Sequence, residues 1–220
     1  MFPNVDWEVM LFETWNTLYM TLVAGVATFI FGLMLGMVLY VTNEPLMLKN
    51  RFIYTIVGAF VNIFRSIPFI ILIILLIPFT RAIVGTILGS TAALPALIIG
   101  AAPFYARMVE LGLREVDRGV IEAAESMGAT KWQIIYKVLF PEALPSLVSG
   151  ITVTVVALIG YTAMAGVVGS GGLGTLAFLD GFQRSQNDVT FVATVMILVL
   201  VFIIQFIGDT LVARIDKRSA

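Results

Sequence analysis

Between Thr17 and Tyr40 the chain reads TLYMTLVAGVATFIFGLMLGMVLY, and no charged residue occurs from Thr14 to Asn43. A helix needs roughly 20 apolar residues to cross the hydrocarbon layer of a membrane. This stretch is long enough, and lipid tails do not penalise its exposed Leu, Val, Ile and Phe. The rest of the chain repeats the theme. Over 220 residues, 60% are hydrophobic and 12% are charged, with a mean hydropathy of +1.02. A soluble domain carries about twice that charged fraction. The residues therefore predict an all-α integral membrane protein of about five transmembrane helices.

The spans are expected near 17–40, 54–80, 92–113, 144–165 and 189–208. The second contains Arg65, Pro68 and Pro78 and reads as one span kinked near Pro68. The third is expected to bend at Pro95 and Pro103. After the fourth comes a Gly-rich stretch read as a loop, and the fifth is bounded by Asp188 and Asp209. The small-xxx-small run Gly32-Leu-Met-Leu-Gly36 permits close helix approach, and ordinary helix packing is preferred to a dimer seam.

Orientation follows the bases. Lys49, Arg51, Arg107, Arg114, Arg118, Lys131, Lys137, Arg214, Lys217 and Arg218 fall in one set of loops, and only Arg81 and Arg184 in the other. The expected arrangement has residues 1–16 as an extracytoplasmic segment, 17–212 as the transmembrane domain and 213–220 as a cytosolic tail. The N-terminus opens with Asp6, Glu8 and Glu13 instead of bases, so the first apolar run is expected to be a permanent span, not a cleavable signal.

One polar insert interrupts this apolar chain: EAAESMGATKWQ, Glu122 to Gln133, within residues 118–141. Val120, Ala124 and Met127 share a face at helical spacing, while Glu122, Glu125 and Ser126 point elsewhere. Ala123 and Ala124 are short enough for another surface to come close. Gly128 stops this helix, and Thr130-Lys-Trp-Gln133 has the pattern of a capping box that starts a second. Trp132, Ile135 and Leu139 form its apolar stripe, flanked by Ile134 and Val138, and Pro141 and Pro145 mark its end. A cytosolic hairpin of two short helices is expected. The alternative is an amphipathic helix lying on headgroups, disfavoured because Glu122 and Glu125 would face anionic lipid.

The composition excludes much chemistry. There is no Cys and no His, so thiolate chemistry, disulfides and the commonest general base and metal ligand are missing. A net charge of −1 leaves no nucleic-acid footprint. An intramembrane hydrolase would need a Ser-Lys or paired-carboxylate scheme. An ion-coupled transporter would show buried acids near the midplane, and Asp and Glu fall almost wholly in loops. GSGGLG, Gly169 to Gly174, lacks the following Lys-Ser or Lys-Thr and a preceding strand, so it is read as a flexible or re-entrant extracellular turn and not as a phosphate loop.

The insert resembles the motif of bacterial ABC-importer membrane subunits, E-A-A, three residues, Gly, nine residues, then I-x-L-P. This chain places Glu122, Ala123, Ala124, Gly128, Val138, Phe140 and Pro141 at those spacings, with Val138 and Phe140 replacing Ile and Leu. The flanking GAAPFYARMVELGLREVDRG, LFPEALPSLVSGITVTVVALIGYTAMAGVVGSGGLG and IQFIGDTLVARI resemble methionine-importer permeases, and the likeness covers nearly the whole chain, including its short five-span build.

That resemblance implies a permease subunit that performs no catalysis and binds no cofactor itself. Its implied partners are a second copy of itself, two ATP-binding subunits that carry ATP and Mg, a lipid-anchored extracytoplasmic binding protein, and the lipid of the bacterial plasma membrane. Glu122 would take a polar contact from the ATPase, Ala123 and Ala124 would let it seat closely, and Gly128 would join the two helices. Methionine is the implied solute, and a permease for another amino acid or small solute is the alternative. Arg65, Pro68, Tyr161 and Met164 are candidates for the pathway or gate. For Arg65 the alternative is snorkelling to headgroups, and for Tyr161 and Met164 it is ordinary packing.

Overall fold

The computed structural model describes residues 2–216, so Lys217, Arg218 and the second half of the expected tail lie outside the described residues. All the regular structure there is helical. The elements are α1 (Trp7–Asn43), α2 (Arg51–Ser66), α3 (Phe69–Leu75), α4 (Ile77–Val84), α5 (Ser90–Arg114), α6 (Arg118–Ser126), α7 (Lys131–Ile134), α8 (Phe140–Val167), α9 (Leu173–Thr175) and α10 (Asn187–Ile215). Two π-helical segments join neighbours: Ile135–Leu139 fuses α7 to α8, and Leu176–Gln183 extends α9.

Among the described residues, four helical stretches are long and apolar enough to cross a membrane, or five if the bent pair α2 and α3 counts as one. Large apolar side chains stand outward along them, Phe202 and Phe206 on α10 among them. A water-soluble monomer rarely leaves so much apolar surface bare.

The first helix is longer than expected. Asp6 caps it by accepting from the Glu8 and Val9 amides, and it runs 37 residues. That is a rise of about 55 Å, well beyond the hydrocarbon thickness of about 30 Å.

The second expected span is not merely kinked. α2 and α3 meet at 105°, with Pro68 as the α3 N-cap. Proline disfavours a helical conformation in the residue before it, and Ile67 is accordingly extended. The Phe69, Leu72 and Ile73 side chains then turn α3 inward onto the bundle. α5, by contrast, runs unbroken through both Pro95 and Pro103.

α5 lies at the centre of the bundle, against α1, α2, α3, α4 and α8. Its seam with α1 is tight because a Cβ at Gly32 would stand 2.7 Å from the Tyr105 ring, and one at Gly36 would overlap Val109 and the Ala106 carbonyl. The small-residue run is thus an intrachain packing seam, as expected.

The Gly-rich stretch after α8 is more ordered than a loop. It turns at Gly169, Gly171 and Gly172, all at positive φ, and re-enters a helical segment at Leu173. The turn is strung between two neighbours: the Gly172 amide donates to the Glu13 carboxylate, and the Leu173 amide to Thr17 Oγ1 at 2.9 Å. On its other side the Gly89 amide donates to the Gly169 carbonyl at 3.0 Å. These contacts close the end of the bundle opposite the polar insert.

Candidate functional site

The polar insert folds into a helical hairpin. Asp117 begins α6 by accepting from the Gly119 amide at 2.7 Å. Ile121 and Ala124 face inward and are buried with Leu113, Val116, Ile134 and Leu139. This corrects the expected apolar face. Val120 is exposed and Met127 is 82% exposed, so the seated residues are Ile121 and Ala124. Ala124 therefore packs against this chain's own core, and of the alanine pair only Ala123 is presented outward. Glu122, Ala123 and Met127 form the open face of α6.

The elbow is built from backbone chemistry. At its end the Gly128 amide donates to Glu125 O at 2.9 Å and the Ala129 amide to Ala124 O at 3.1 Å, the paired bonds of a Schellman cap. That cap needs a left-handed residue, and Gly128 has φ +83°. A Cβ there would meet nothing within 4 Å, so the requirement is conformational, not spatial. The capping box follows as expected. The Thr130 amide donates to Gln133 Oε1 at 2.8 Å, and the Gln133 amide returns to Thr130 Oγ1 at 3.4 Å. Lys131 bridges the elbow to Glu125 and reaches the Leu46 carbonyl at 2.6 Å. Arg118 pairs with the largely buried Glu44 at 3.4 Å. Both links run to the turn between α1 and α2.

The second arm does not end at its prolines. Ile134, Ile135 and Leu139 are buried, while Trp132 is 64% exposed, so the expected stripe holds for Ile135 and Leu139 and fails for Trp132. Val138 and Phe140 are half-buried against the same cluster. Pro141 lacks an amide for the helical ladder. The chain widens just before it, the Phe140 amide reaching back to Ile135 O in a π turn, and continues as α8. Such π turns recur at functional sites.

Sequence reasoning missed a charged cluster beside the hairpin. Glu110, placed among the loops by its neighbours, is fully buried on α5. It pairs with Arg107 and with Arg114, the latter at 2.6 Å. Tyr54 donates to the same carboxylate at 3.5 Å, and Arg107 reaches Asn62 Oδ1 at 2.8 Å, tying α2 to α5. A buried carboxylate persists only when paired and hydrogen-bonded. The available signal was the spacing Arg107, Glu110, Arg114, which puts all three on one helical face.

The pathway candidates lie apart from the hairpin, around the α2–α3 break. Arg65 is exposed in the last turn of α2, with no ion pair among the described residues. Arg65 and Tyr161 line one small cleft of about 30 Å³, together with Phe69, the first residue after Pro68. The Phe69 and Tyr161 rings stack at 4.6 Å with 5° between planes. Met164, one turn along α8, is 46% exposed.

Comparison with known proteins agrees with this architecture. Residues 29–219 match the family described as binding-protein-dependent transport system inner membrane component. The methionine import system permease protein MetP of Bacillus subtilis (strain 168) is 59% identical over 217 residues, covering 99% of this chain and 98% of that protein. The D-methionine transport system permease protein MetI of Escherichia coli (strain K12) is 55% identical over 152 residues, 69% of this chain and 70% of its own. A chain of the MetNI methionine ABC transporter, solved in inward-facing conformations, superposes with a TM-score of 0.94 at 48% identity, over 96% of this chain and 98% of that one. An amino acid ABC transporter with histidines shares the fold, with a TM-score of 0.72 at 20% identity. The chain belongs to the binding-protein-dependent inner membrane component family and, within it, to the permease subunits of methionine ABC importers, multi-pass proteins of the bacterial inner membrane whose ATP hydrolysis is carried out by a separate subunit.

Proposed function

We propose that the chain, as a homodimer, carries methionine into the cell by alternating access, driven by two ATP-binding subunits and supplied by an extracytoplasmic binding protein. The N-terminus lies outside and the C-terminus in the cytosol. The hairpin of residues 118–141 is the element on which the ATP-binding subunits pull. The observation that carries this reading is the combination of an open face, Glu122, Ala123 and Met127, with an elbow fixed by the Gly128 cap and the Thr130 box. A stiff, anchored lever transmits displacement, and a floppy loop dissipates it.

The links at Lys131 and Arg118 carry that displacement to the α1–α2 turn, whose Asn50 caps α2. α2 ends at the right-angle break beside Arg65, Pro68, Phe69 and Tyr161. Motion of the hairpin thus reaches the residues proposed to line or gate the pathway. Methionine as the solute is supported by the names and the high identity of the relatives. The test is uptake of labelled methionine by the reconstituted complex, with unlabelled amino acids as competitors. Competition by methionine alone supports the reading. Equal competition by an unrelated amino acid overturns the substrate assignment.

A further inference from the structure

A second feature of the hairpin end has no place in that mechanism. Between the last turns of α1, the start of α2 and the exposed edge of the second hairpin arm runs a groove of about 600 Å³. Its walls are apolar: Met34 and Val38 from α1, Leu48 and Ile53 from the turn and α2, and Trp132 and Tyr136 facing them. Trp132 and Tyr136 are 64% and 69% exposed, and their rings stack at 6.2 Å. Such aromatic pairs gather where hydrocarbon meets headgroup.

The rim is basic. Lys49 and Arg51 flank the lining residue Asn50 in the chain, Lys137 follows the lining residue Tyr136, and all three are exposed. Among the described residues none of the three forms an ion pair. The N-terminal end of the 16-residue helix α2, capped by Asn50, which lines the groove, adds the positive end of its dipole. The α1 wall, from Leu33 to Thr42, rises about 14 Å, close to half the hydrocarbon thickness. An apolar trough one leaflet deep, with an exposed aromatic pair on one wall and three exposed cations next in sequence to its lining, matches an acyl chain below an anionic headgroup.

We propose that this groove is a binding site for an anionic phospholipid of the cytosolic leaflet, seated between α1 and the coupling hairpin. The proposal rests on the reading that the hairpin end is cytosolic. With the lipid in place, Trp132 and Tyr136 are clamped at the membrane boundary, and the hairpin pivots on a fixed edge.

The chain contains three Trp residues, so Trp7→Phe with Trp15→Phe leaves Trp132 as the sole tryptophan, which is excited selectively over the tyrosines. That full chain is reconstituted in phosphatidylcholine vesicles carrying equal mole fractions of either dibrominated phosphatidylglycerol or dibrominated phosphatidylcholine. The expected result is quenching with a preference for phosphatidylglycerol of about fivefold or more, the ratio one basic residue supplies near an anionic surface. The triple variant Lys49→Gln, Arg51→Gln, Lys137→Gln should lose that preference. Equal quenching by both lipids overturns the proposal, and so does absence of quenching with Leu48→Cys crosslinking between two copies. If the Trp variants fail to insert, native mass spectrometry of the wild-type complex decides. Retained phosphatidylglycerol that the triple variant lacks supports the site, and equal lipid loads overturn it. Labelling of Met127→Cys by a membrane-impermeant thiol reagent, in intact cells against inverted vesicles, reports the side of the hairpin separately.

Discussion

Lys131 bridges two elements at once: its ammonium donates to the Glu125 carboxylate across the elbow and to the Leu46 carbonyl in the α1–α2 turn. The pair is partly exposed, at 34% and 42%, and such surface ion pairs add little to stability. Its consequence is mechanical, since one side chain joins both arms of the hairpin to the turn that starts α2. Lys131→Met should leave the thermal midpoint of the permease nearly unchanged while lowering methionine transported per ATP hydrolysed. Measuring uptake and hydrolysis on the same proteoliposomes checks this.

Gly128 separates conformational need from space. Because nothing surrounds its missing Cβ, Gly128→Val fails through its left-handed φ, at a cost of about 1–2 kcal/mol. Gly128→Asn should be tolerated, since Asn visits that region. Hydrogen exchange at the Met127 to Ala129 amides, together with uptake, is expected to rank Gly and Asn together and Val well apart.

The two alanines should behave differently. Ala124→Leu drives a larger side chain into the cluster of Ile121, Ile134 and Leu139 and should destabilise the permease by about 1–3 kcal/mol. Ala123→Leu meets only solvent in the isolated chain, so it should preserve the melting midpoint and weaken retention of the ATP-binding subunit on affinity purification.

What could be read in the sequence depended on how local the cause was. The capping box and the glycine stop are set within four residues, and both appear as expected. The buried face of α6 is different. Ala124 is buried as expected, but it pairs as well with Val120 and Met127 as with Ile121 in the sequence, and only the position of Leu113, Val116 and Leu139 chooses between them. Pro68 announced a break, but its 105° is fixed by where Phe69 and Ile73 find partners on the bundle. The π turn before Pro141 leaves no composition signal. Glu110 was hidden because a lone acid near the end of a span resembles a loop residue until its neighbours at three and four positions are considered together.

Glu110 itself gives the sharpest stability prediction. Glu110→Ala leaves Arg107 and Arg114 facing one another without their shared carboxylate, costing about 3 kcal/mol, the low end for a broken buried pair because Arg114 is partly in water. Glu110→Gln keeps one acceptor oxygen, loses the other and the charge, and should fall between Ala and the parent. Denaturation midpoints of the three purified proteins test the order.

The central claim, that the open face of α6 receives an ATP-binding subunit, is tested most directly by crosslinking. The chain has no cysteine, so single replacements report cleanly. Ala123→Cys and Met127→Cys in the purified, transport-active complex should each crosslink to the ATP-binding subunit, with a yield that changes on ATP binding, while Phe182→Cys at the opposite end should not. A complex that stays assembled and active yet gives no such crosslink from Ala123→Cys or Met127→Cys would contradict the account.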